Sequence, residues 1–148
     1  MNRSEVEKII RQAHSIGEAP SIANAVLSNR YLANINFQGA NLTDVKFVCA
    51  DLARANFMGS KLIRVNFSGA FLDQANFSSA YIEDVAFTGA YLKLANFNGA
   101  KIYWAKFTNA TLKMANFSMA NFRGTIFTGA NLAGARFKEE LRKGIYYE

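Results

Sequence analysis

The stretch ANFSS AYIED VAFTG AYLKL ANFNG, residues 75–99, carries a large apolar side chain at the third position of every group of five residues. The same register runs without insertion from Leu32 to Phe137 and gives 22 centres, of which 12 are Phe, 8 are Leu and 2 are Ile. A helix would place apolar residues three and four apart and a strand two apart, so neither period fits. We therefore predict a short extended segment and a turn in each group, stacked on neighbouring groups to bury the inward side chains.

A second period of 20 residues sets the number of groups in one coil. Val recurs two positions before the centre at 45, 65 and 85, and Asn directly precedes the centre at 36, 56, 76, 96 and 116. Four groups per coil predict a square cross-section. The 22 groups then make about five and a half coils, which at ~4.8 Å between coils give a rod about 26 Å long.

Folding the sequence onto this square predicts the core. One inward column contains Phe37, Phe57, Phe77, Phe97, Phe117 and Phe137, and the opposite column contains Phe47, Phe67, Phe87, Phe107 and Phe127. Leu and Ile fill the other two columns, with Phe122 as the exception. Ala stands two residues before the centre in 15 of the 22 groups, because the large side chains leave no room for more. Gly follows most Phe centres by two residues, which predicts two turn geometries that alternate around the coil.

These groups resemble the consensus of the pentapeptide-repeat family. The best matches are ADLAR at 50–54, ANFSS at 75–79, ANFNG at 95–99 and ANLAG at 130–134. The resemblance implies an all-β solenoid, namely a right-handed quadrilateral β-helix. Many members, abundant in cyanobacteria, have no assigned biochemistry, and some are effectors or regulators that act by contact, so the resemblance implies a cytoplasmic bacterial, non-enzymatic protein-interaction module. It also implies an alternative, because some members resemble double-stranded DNA in shape and charge and bind type II topoisomerases such as DNA gyrase.

The charge distribution counts against DNA mimicry. Between Arg30 and Glu139 there are 12 basic and 6 acidic residues, and no loop interrupts the repeat, whereas the DNA-like members have an acidic surface and often such loops. Association with nucleic acid or a topoisomerase therefore stays the second hypothesis, behind binding to an unidentified protein partner.

Both ends of a solenoid need covers. We predict a helical cap over residues 1–29, the β-helix over 30–139 and a capping segment over 140–148. In the first cap, Ser4 and Glu7 suggest a capping box, and Pro20 suggests the start of a second helix with Ile22, Val26 and Leu27. At the other end, residues 138–144 are predicted to form a short helix.

No catalytic or cofactor-binding motif stands out. The chain has one histidine, His14, and one cysteine, Cys49, so neither a zinc site nor an internal disulfide is expected. No Gly-rich loop leads into a helix, and no stretch has the length of a signal peptide core or a membrane span. We expect a cytoplasmic protein with no cofactor, no metal, no membrane contact and no enzymatic activity.

The outward positions offer two candidate surfaces. Trp, Tyr and Arg are enriched at interaction hot spots, and the candidate partner-binding residues are Lys61, Arg64, Tyr81, Lys101, Tyr103, Trp104 and Arg123. Basic and aromatic residues together also suit nucleic acid, although Asp44, Glu83 and Asp84 share this face. An ordinary solvated face is an equally good interpretation.

Exposed apolar groups in line suggest self-association, with a homodimer as one outcome. The candidate residues are Phe71, Tyr91, Leu94 and Met114 on the rod, and Leu141, Ile145 and Tyr146 at the C-terminal end. Two further outward columns are expected to be structural. The Asn column is predicted to form a ladder of side-chain amides, and the column of Ser68, Thr88, Thr108 and Thr128 is too narrow for an ice-binding face.

Overall fold

The 20-residue period predicted from the sequence is the register of the parallel strands in the computed structural model, which describes residues 1–139. Ser21 pairs with Asn41, Asn41 with Lys61, Lys61 with Tyr81, and the series continues to Asn121. The elements are α1 (Arg3–Ser15), β1 (Ser21–Ala23), β2 (Asn41–Thr43), β3 (Lys61–Ile63), β4 (Tyr81–Glu83), β5 (Lys101–Tyr103), β6 (Asn116–Phe117), β7 (Asn121–Arg123) and β8 (Arg136–Phe137). The predicted β-solenoid is confirmed, with about six coils and a short helix at its N-terminus.

The solenoid has four faces, because each coil contains four groups of five residues. We name the faces by the first centre on each, so that face 1 starts at Ile22, face 2 at Leu27, face 3 at Leu32 and face 4 at Phe37, and each continues every 20 residues. Coil 1 spans residues 20–39 and coil 6 spans 120–139. Face 1 is one sheet in the order β1-β2-β3-β4-β5-β7. Faces 2 and 3 are joined by single parallel bridges, and face 4 adds the pair β6-β8 to such bridges.

Two columns of phenylalanine rings fill the centre of the rod, as predicted. Within a column the rings stack, for example Phe77 on Phe97 with centroids 4.8 Å apart and an interplanar angle of 3°. Between the columns the rings meet edge to face, as Phe77 and Phe87 do at 5.6 Å and 90°. Both geometries suit the quadrupole of an aromatic ring. The residues with the largest fully buried side chains include Phe37, Phe47, Phe57, Phe67, Phe77, Phe87, Phe97, Phe107 and Phe117.

The N-terminal cap differs from the sequence-based prediction. Helix α1 is capped by Asn2, whose side chain accepts a hydrogen bond from the Glu5 N–H at 2.9 Å, while the Glu5 carboxylate accepts from the Asn2 N–H at 2.7 Å. The expected Ser4–Glu7 box is therefore wrong, and Glu7 instead pairs with Arg3. Val6 and Ile10 are buried against the core of coil 1.

The second helix predicted from Pro20 is also wrong, because β1 begins at Ser21. Ile22 and Leu27 occupy the inward centre positions, and Val26 points outward with 59% of its surface exposed. The repeat therefore begins ahead of residue 30, the boundary that the sequence suggested, and the helical part of the cap ends at Ser15. The predicted helix at 138–144 lies almost wholly outside the described residues. Helix α1, the one helix of substantial length among them, is not long and apolar enough to cross a membrane.

The corners do not alternate between two geometries as predicted. In every group but the final one, and with the exception of Met119, the last residue has a positive φ whether or not it is glycine, for example 54° at Cys49, 58° at Arg54 and 65° at Gly59. In coils 2 to 5, the corners that end faces 2, 3 and 4 are closed by a hydrogen bond from the N–H three residues after the centre to the centre carbonyl, as from Ala50 N–H to Phe47 at 3.0 Å. The corner after face 1 has no such bond within residues 1–139. One corner in four thus differs from the rest.

The asparagine column has a different role from the predicted ladder. In each of the five residues, Oδ1 accepts a hydrogen bond from the N–H two residues later, as Asn76 does from Ser78 at 3.0 Å. A bond between amides of successive coils joins Asn56 to Asn36 at 3.1 Å, and it is the one such bond in this column of the described chain. The column therefore satisfies backbone donors at the corners, as asparagine does in turns.

Candidate protein-interaction surface

Face 1 brings the predicted partner-binding residues together on coils 3 to 6. We call this set the Trp104 surface, and it consists of Lys61, Arg64, Tyr81, Lys101, Tyr103, Trp104 and Arg123. The strands alternate outward, inward, outward, so that Leu62, Ile82 and Ile102 enter the core while their neighbours face solvent. Stacking at a 20-residue period then places side chains of successive coils side by side. The grouping predicted from the sequence is present in the structure.

An aromatic row forms the centre of the Trp104 surface. The rings of Tyr81 and Tyr103 meet edge to face at 5.8 Å, and Tyr103 lies 6.1 Å from Trp104. The guanidinium carbon of Arg123 lies 5.5 Å from the centre of the Trp104 ring, in cation–π geometry. Trp104 nevertheless keeps 48% of its surface exposed. A large, half-exposed ring is thus held in place by two neighbours.

Gly124 positions the indole of Trp104. A Cβ atom at residue 124 would lie 2.5 Å from Cδ1 and 2.8 Å from Nε1 of Trp104, so the ring rests where a side chain would stand. Sequence analysis missed this residue. Residue 124 follows Trp104 by 20 positions and therefore occupies the same corner on the next coil. This spacing is the signal that could have identified it.

A hydrogen bond fixes the tyrosine at the other end of the row. The Tyr81 hydroxyl donates to the Glu83 carboxylate. This bond, followed by partial burial, raises the pKa of the Tyr81 phenol above its usual value. The Lys61 ammonium lies 6.0 Å from the centre of the Tyr81 ring. Tyr81 therefore offers its ring, and not a free hydroxyl, to a partner.

Arg64 differs from the other basic residues of the surface because it is already paired. Its Nε and one terminal nitrogen donate to the two carboxylate oxygens of Asp44 at 2.7 and 2.8 Å. The bidentate bond holds the pKa of Asp44 below its usual value and raises the pKa of Arg64. Lys61, Lys101 and Arg123 make no ion pair with any residue that the structure describes. These three cations are the ones available to a partner.

Metal-binding clusters and pockets bear on what else the described part of the rod could bind. Within residues 1–139, no cluster of three or more His, Cys, Asp or Glu side chains could hold a metal ion. Face 1 is a six-stranded sheet whose outward side chains stand side by side. A cleft of about 190 Å³ does lie between α1 and coil 1, where Arg3, Glu7 and Ile10 face Asn34 and Ile35, far from the Trp104 surface.

The predicted self-association residues lie on the opposite side of the rod. Phe71 and Tyr91 stack on face 3 with centroids 5.0 Å apart and an interplanar angle of 5°. Leu94 and Met114 follow at the corner after face 3, and each of the four side chains is 42–56% exposed. Leu141, Ile145 and Tyr146 lie outside the described residues.

Two protein-family profiles of the same repeat type match adjacent parts of this chain. Residues 60–137 match the profile described as a pentapeptide repeat region, and residues 21–59 match the profile of pentapeptide repeats in eight copies. No curated protein matches the sequence.

Several solved structures resemble this chain. A pentapeptide repeat protein from the thylakoid lumen of Arabidopsis thaliana aligns over 83% of this chain and 72% of its own, with 24% identity and a TM-score of 0.54. A pentapeptide repeat protein from Nostoc aligns over 90% and 95%, with 24% identity and a TM-score of 0.49. The plasmid-mediated fluoroquinolone resistance protein QnrB1 aligns over 86% and 90%, with 17% identity and a TM-score of 0.37. At these identities, the likeness to the Arabidopsis protein shows the fold alone.

Proposed function

Because this chain belongs to the pentapeptide-repeat family, we propose that it is a non-enzymatic interaction module that binds a protein partner through the Trp104 surface. The observation that carries the proposal is the aromatic row of Tyr81, Tyr103 and Trp104, in which the half-exposed Trp104 ring stands beside two partly buried tyrosines and contacts Arg123. Aromatic anchors that are ordered before binding lose little side-chain entropy when a partner docks.

The free cations around the row indicate the chemistry of the partner. Lys61 and Lys101 flank Tyr81 along one edge, and Arg123 covers part of Trp104. A matching protein surface would carry apolar or aromatic side chains at its centre and carboxylates at its rim, because rim charges steer association and fix orientation. We expect this contact to occur in the cytoplasm, since the chain has a single cysteine and no internal disulfide to maintain.

A pair of matched variants tests this function. Trp104→Ala with Arg123→Ala removes one exposed apolar group and one cation from coils 5 and 6 of face 1. Lys106→Ala with Ile126→Ala removes the same two kinds of group from the same coils of face 2. Affinity capture from lysate of the source cells, quantified by mass spectrometry, should show proteins that the first variant loses at least tenfold and the second retains. Equal capture by both variants would show that the Trp104 surface is not the binding site.

Association with nucleic acid or with a topoisomerase is the second candidate function. The excess of basic residues on the repeat body and the mixture of Lys, Arg and aromatic rings favour it. The Asp44–Arg64 pair and the nearby Glu83 and Asp84 reduce the positive field, which is why it ranks second. A titration of duplex DNA at several salt concentrations and a gyrase supercoiling assay are the tests, and an absence of effect in both would exclude this function.

A further inference from the structure

Face 3 carries an apolar centre with one acidic and one basic neighbour. Phe71 on coil 3 and Tyr91 on coil 4 stack, and each leaves nearly half of its side chain exposed. Beside them, in the adjacent outward column, stand Asp73 on coil 3 and Lys93 on coil 4. Oδ1 of Asp73 accepts a hydrogen bond from the Lys93 N–H at 3.1 Å, which holds the carboxylate against the face.

Face 3 carries outward charges of both signs. Asp51 and Asp73 occupy coils 2 and 3, and Lys93 and Lys113 occupy coils 4 and 5. None of these four side chains forms an ion pair with another residue of the described chain. Arg30 and Arg54 lie at the edges of the face on coils 1 and 2, so the two halves of the face do not differ in sign as a whole. At the aromatic stack, Asp73 and Lys93 are neighbours of opposite charge, and reversing the direction of the rod exchanges them.

We propose that face 3 binds a second copy of this chain in an antiparallel, two-fold symmetric homodimer. The symmetry axis crosses the face between coils 3 and 4, perpendicular to the rod. Asp73 of each copy then faces Lys93 of the other, and Phe71 faces Tyr91. Lys113 faces the small Ala53, and Asp51 faces Thr111. A two-fold interface must be self-complementary in this way.

Other arrangements of the same two faces create conflicts. With parallel rods, the column that contains Phe71 in one copy faces the column that contains Asp73 in the other. The Asp73 carboxylate of one copy then lies against the Phe71 ring of the other and has no cation opposite it. Moving the antiparallel axis onto coil 3 brings the two Asp73 carboxylates together. Moving it onto coil 4 brings the two Lys93 ammonium groups together. Like charges in direct opposition disfavour association, and among the antiparallel registers the axis between coils 3 and 4 is the one that pairs each Asp73 with a Lys93.

The interface is small, and the dimer should be reversible. Six coils at ~4.8 Å and a side of about 10 Å give a face of roughly 300 Å² before side chains are added, well below the ~800 Å² per partner of standard interfaces. We expect dissociation at micromolar concentrations. Since face 1 is opposite face 3, the Trp104 surfaces of the two copies point outward and can bind two partner molecules at once.

Charge exchange tests both the dimer and its register. Asp73→Lys places lysine against Lys93, and Lys93→Asp places aspartate against Asp73, so each single variant should dissociate at least tenfold more readily than the wild type. The double variant with both changes restores the opposite-charge pairs and should recover dimerisation. Sedimentation equilibrium on the full chain up to millimolar concentration measures these constants, and circular dichroism checks that each variant is folded.

The outcomes separate the alternatives. A wild-type chain that stays monomeric throughout this range would overturn the proposal. Dimers of unchanged strength in both single variants would show that another surface associates, such as the C-terminal end with Leu141, Ile145 and Tyr146. A double variant as weak as the single variants would contradict the register. None of these results depends on the Trp104 surface, because its variants lie on the opposite face.

Discussion

Trp104 keeps its place on the surface because residue 124 has no side chain. Gly124→Ala should lift the indole from the rod and shift the fluorescence of this single tryptophan towards the emission of a solvated ring. The backbone at residue 124 has a φ of 62°, so alanine should also cost about 1–2 kcal/mol in the free energy of unfolding. Fluorescence spectra and urea unfolding measure the two effects.

Gly59→Ala is the matched control for this prediction. Its φ is 65°, and a Cβ atom there would meet nothing within 4 Å. It should lose a similar amount of stability without any change in the tryptophan spectrum. A Gly124→Ala protein with an unchanged spectrum would contradict the positioning role of Gly124.

Tyr81 makes the Trp104 surface sensitive to alkaline pH. Since the bond to Glu83 raises the pKa of the phenol, the folded state favours the protonated form. The contribution to stability is present below the pKa of an unfolded tyrosine, about 10, and is lost as the pH rises through the higher value of the folded chain. Tyr81→Phe should remove this pH dependence and delete one late-titrating phenol from the tyrosinate absorbance curve. Identical curves for both proteins would exclude the assignment.

At the scale of elements, the phenylalanine columns carry the core. Phe77 stacks between Phe57 and Phe97 at 4.8 Å and meets Phe67 and Phe87 edge to face. Phe77→Ala should reduce the free energy of unfolding by about 3–5 kcal/mol, because a cavity in a stacked column cannot collapse, and Phe77→Leu by about 1–2 kcal/mol.

The surface ring Phe71 serves as the control for the core substitution. Phe71→Ala removes a similar side chain that is 45% exposed, so its effect should be about 1 kcal/mol or less. Thermal or urea unfolding compares the three variants. Equal losses at Phe71 and Phe77 would show that the columns do not dominate the stability.

The elements that could be predicted from the sequence are those set by inward-facing residues. The periods of five and 20 determine which side chains enter the core, and that choice determines the register of the strands. The start of the repeat was missed because Ile22, Val26 and Leu27 fit both a helical spacing and a five-residue spacing. Pro20 and Arg30 stand where most later groups have Ala, and the segment has no Gly at its corners.

The corners and surface residues depend on contacts that periodicity does not encode. Positive φ at Arg54 or Trp104 carries a steric cost that stacking of the coils outweighs, so glycine does not mark every corner. The asparagine amides turn to the backbone because N–H groups at the corners need acceptors. The grouping of the Trp104 surface was predictable from the 20-residue period. Its pairings, such as Arg64 with Asp44, required coordinates.

For the whole molecule, the square rod gives each side its own chemistry. Face 1 presents aromatic rings with cations, and face 3 presents an apolar stack between opposite charges. Face 4 carries uncharged Asn, Gln, Ser and Met side chains as far as coil 5. Because coils contact only their neighbours, these sides can vary without disturbing the common core. The two proposed contacts can therefore be tested independently on one scaffold.

The same nearest-neighbour logic predicts where the rod opens first. In the inner coils, the centre amide donates to the next coil, as Phe107 N–H does to the Ile126 carbonyl at 2.7 Å. The Phe127 amide has no such acceptor within residues 1–139, and its side chain is only partly buried. The Ile126 amide, one residue earlier, donates back to Ala105 at 3.0 Å. Coil 6 should thus contain alternating protected and unprotected amides.

Hydrogen exchange followed by NMR resolves this pattern residue by residue. The Phe127 amide should exchange at least a hundredfold faster than that of Phe107, whereas the Ile126 amide should exchange more slowly than its neighbour Phe127. Coil 1 gives the comparison, because the Leu27 amide donates to the Lys46 carbonyl and α1 covers that end. Equal rates at Phe107 and Phe127 would mean that coil 6 is covered as well as the inner coils, and the rod would then open from both ends with equal ease.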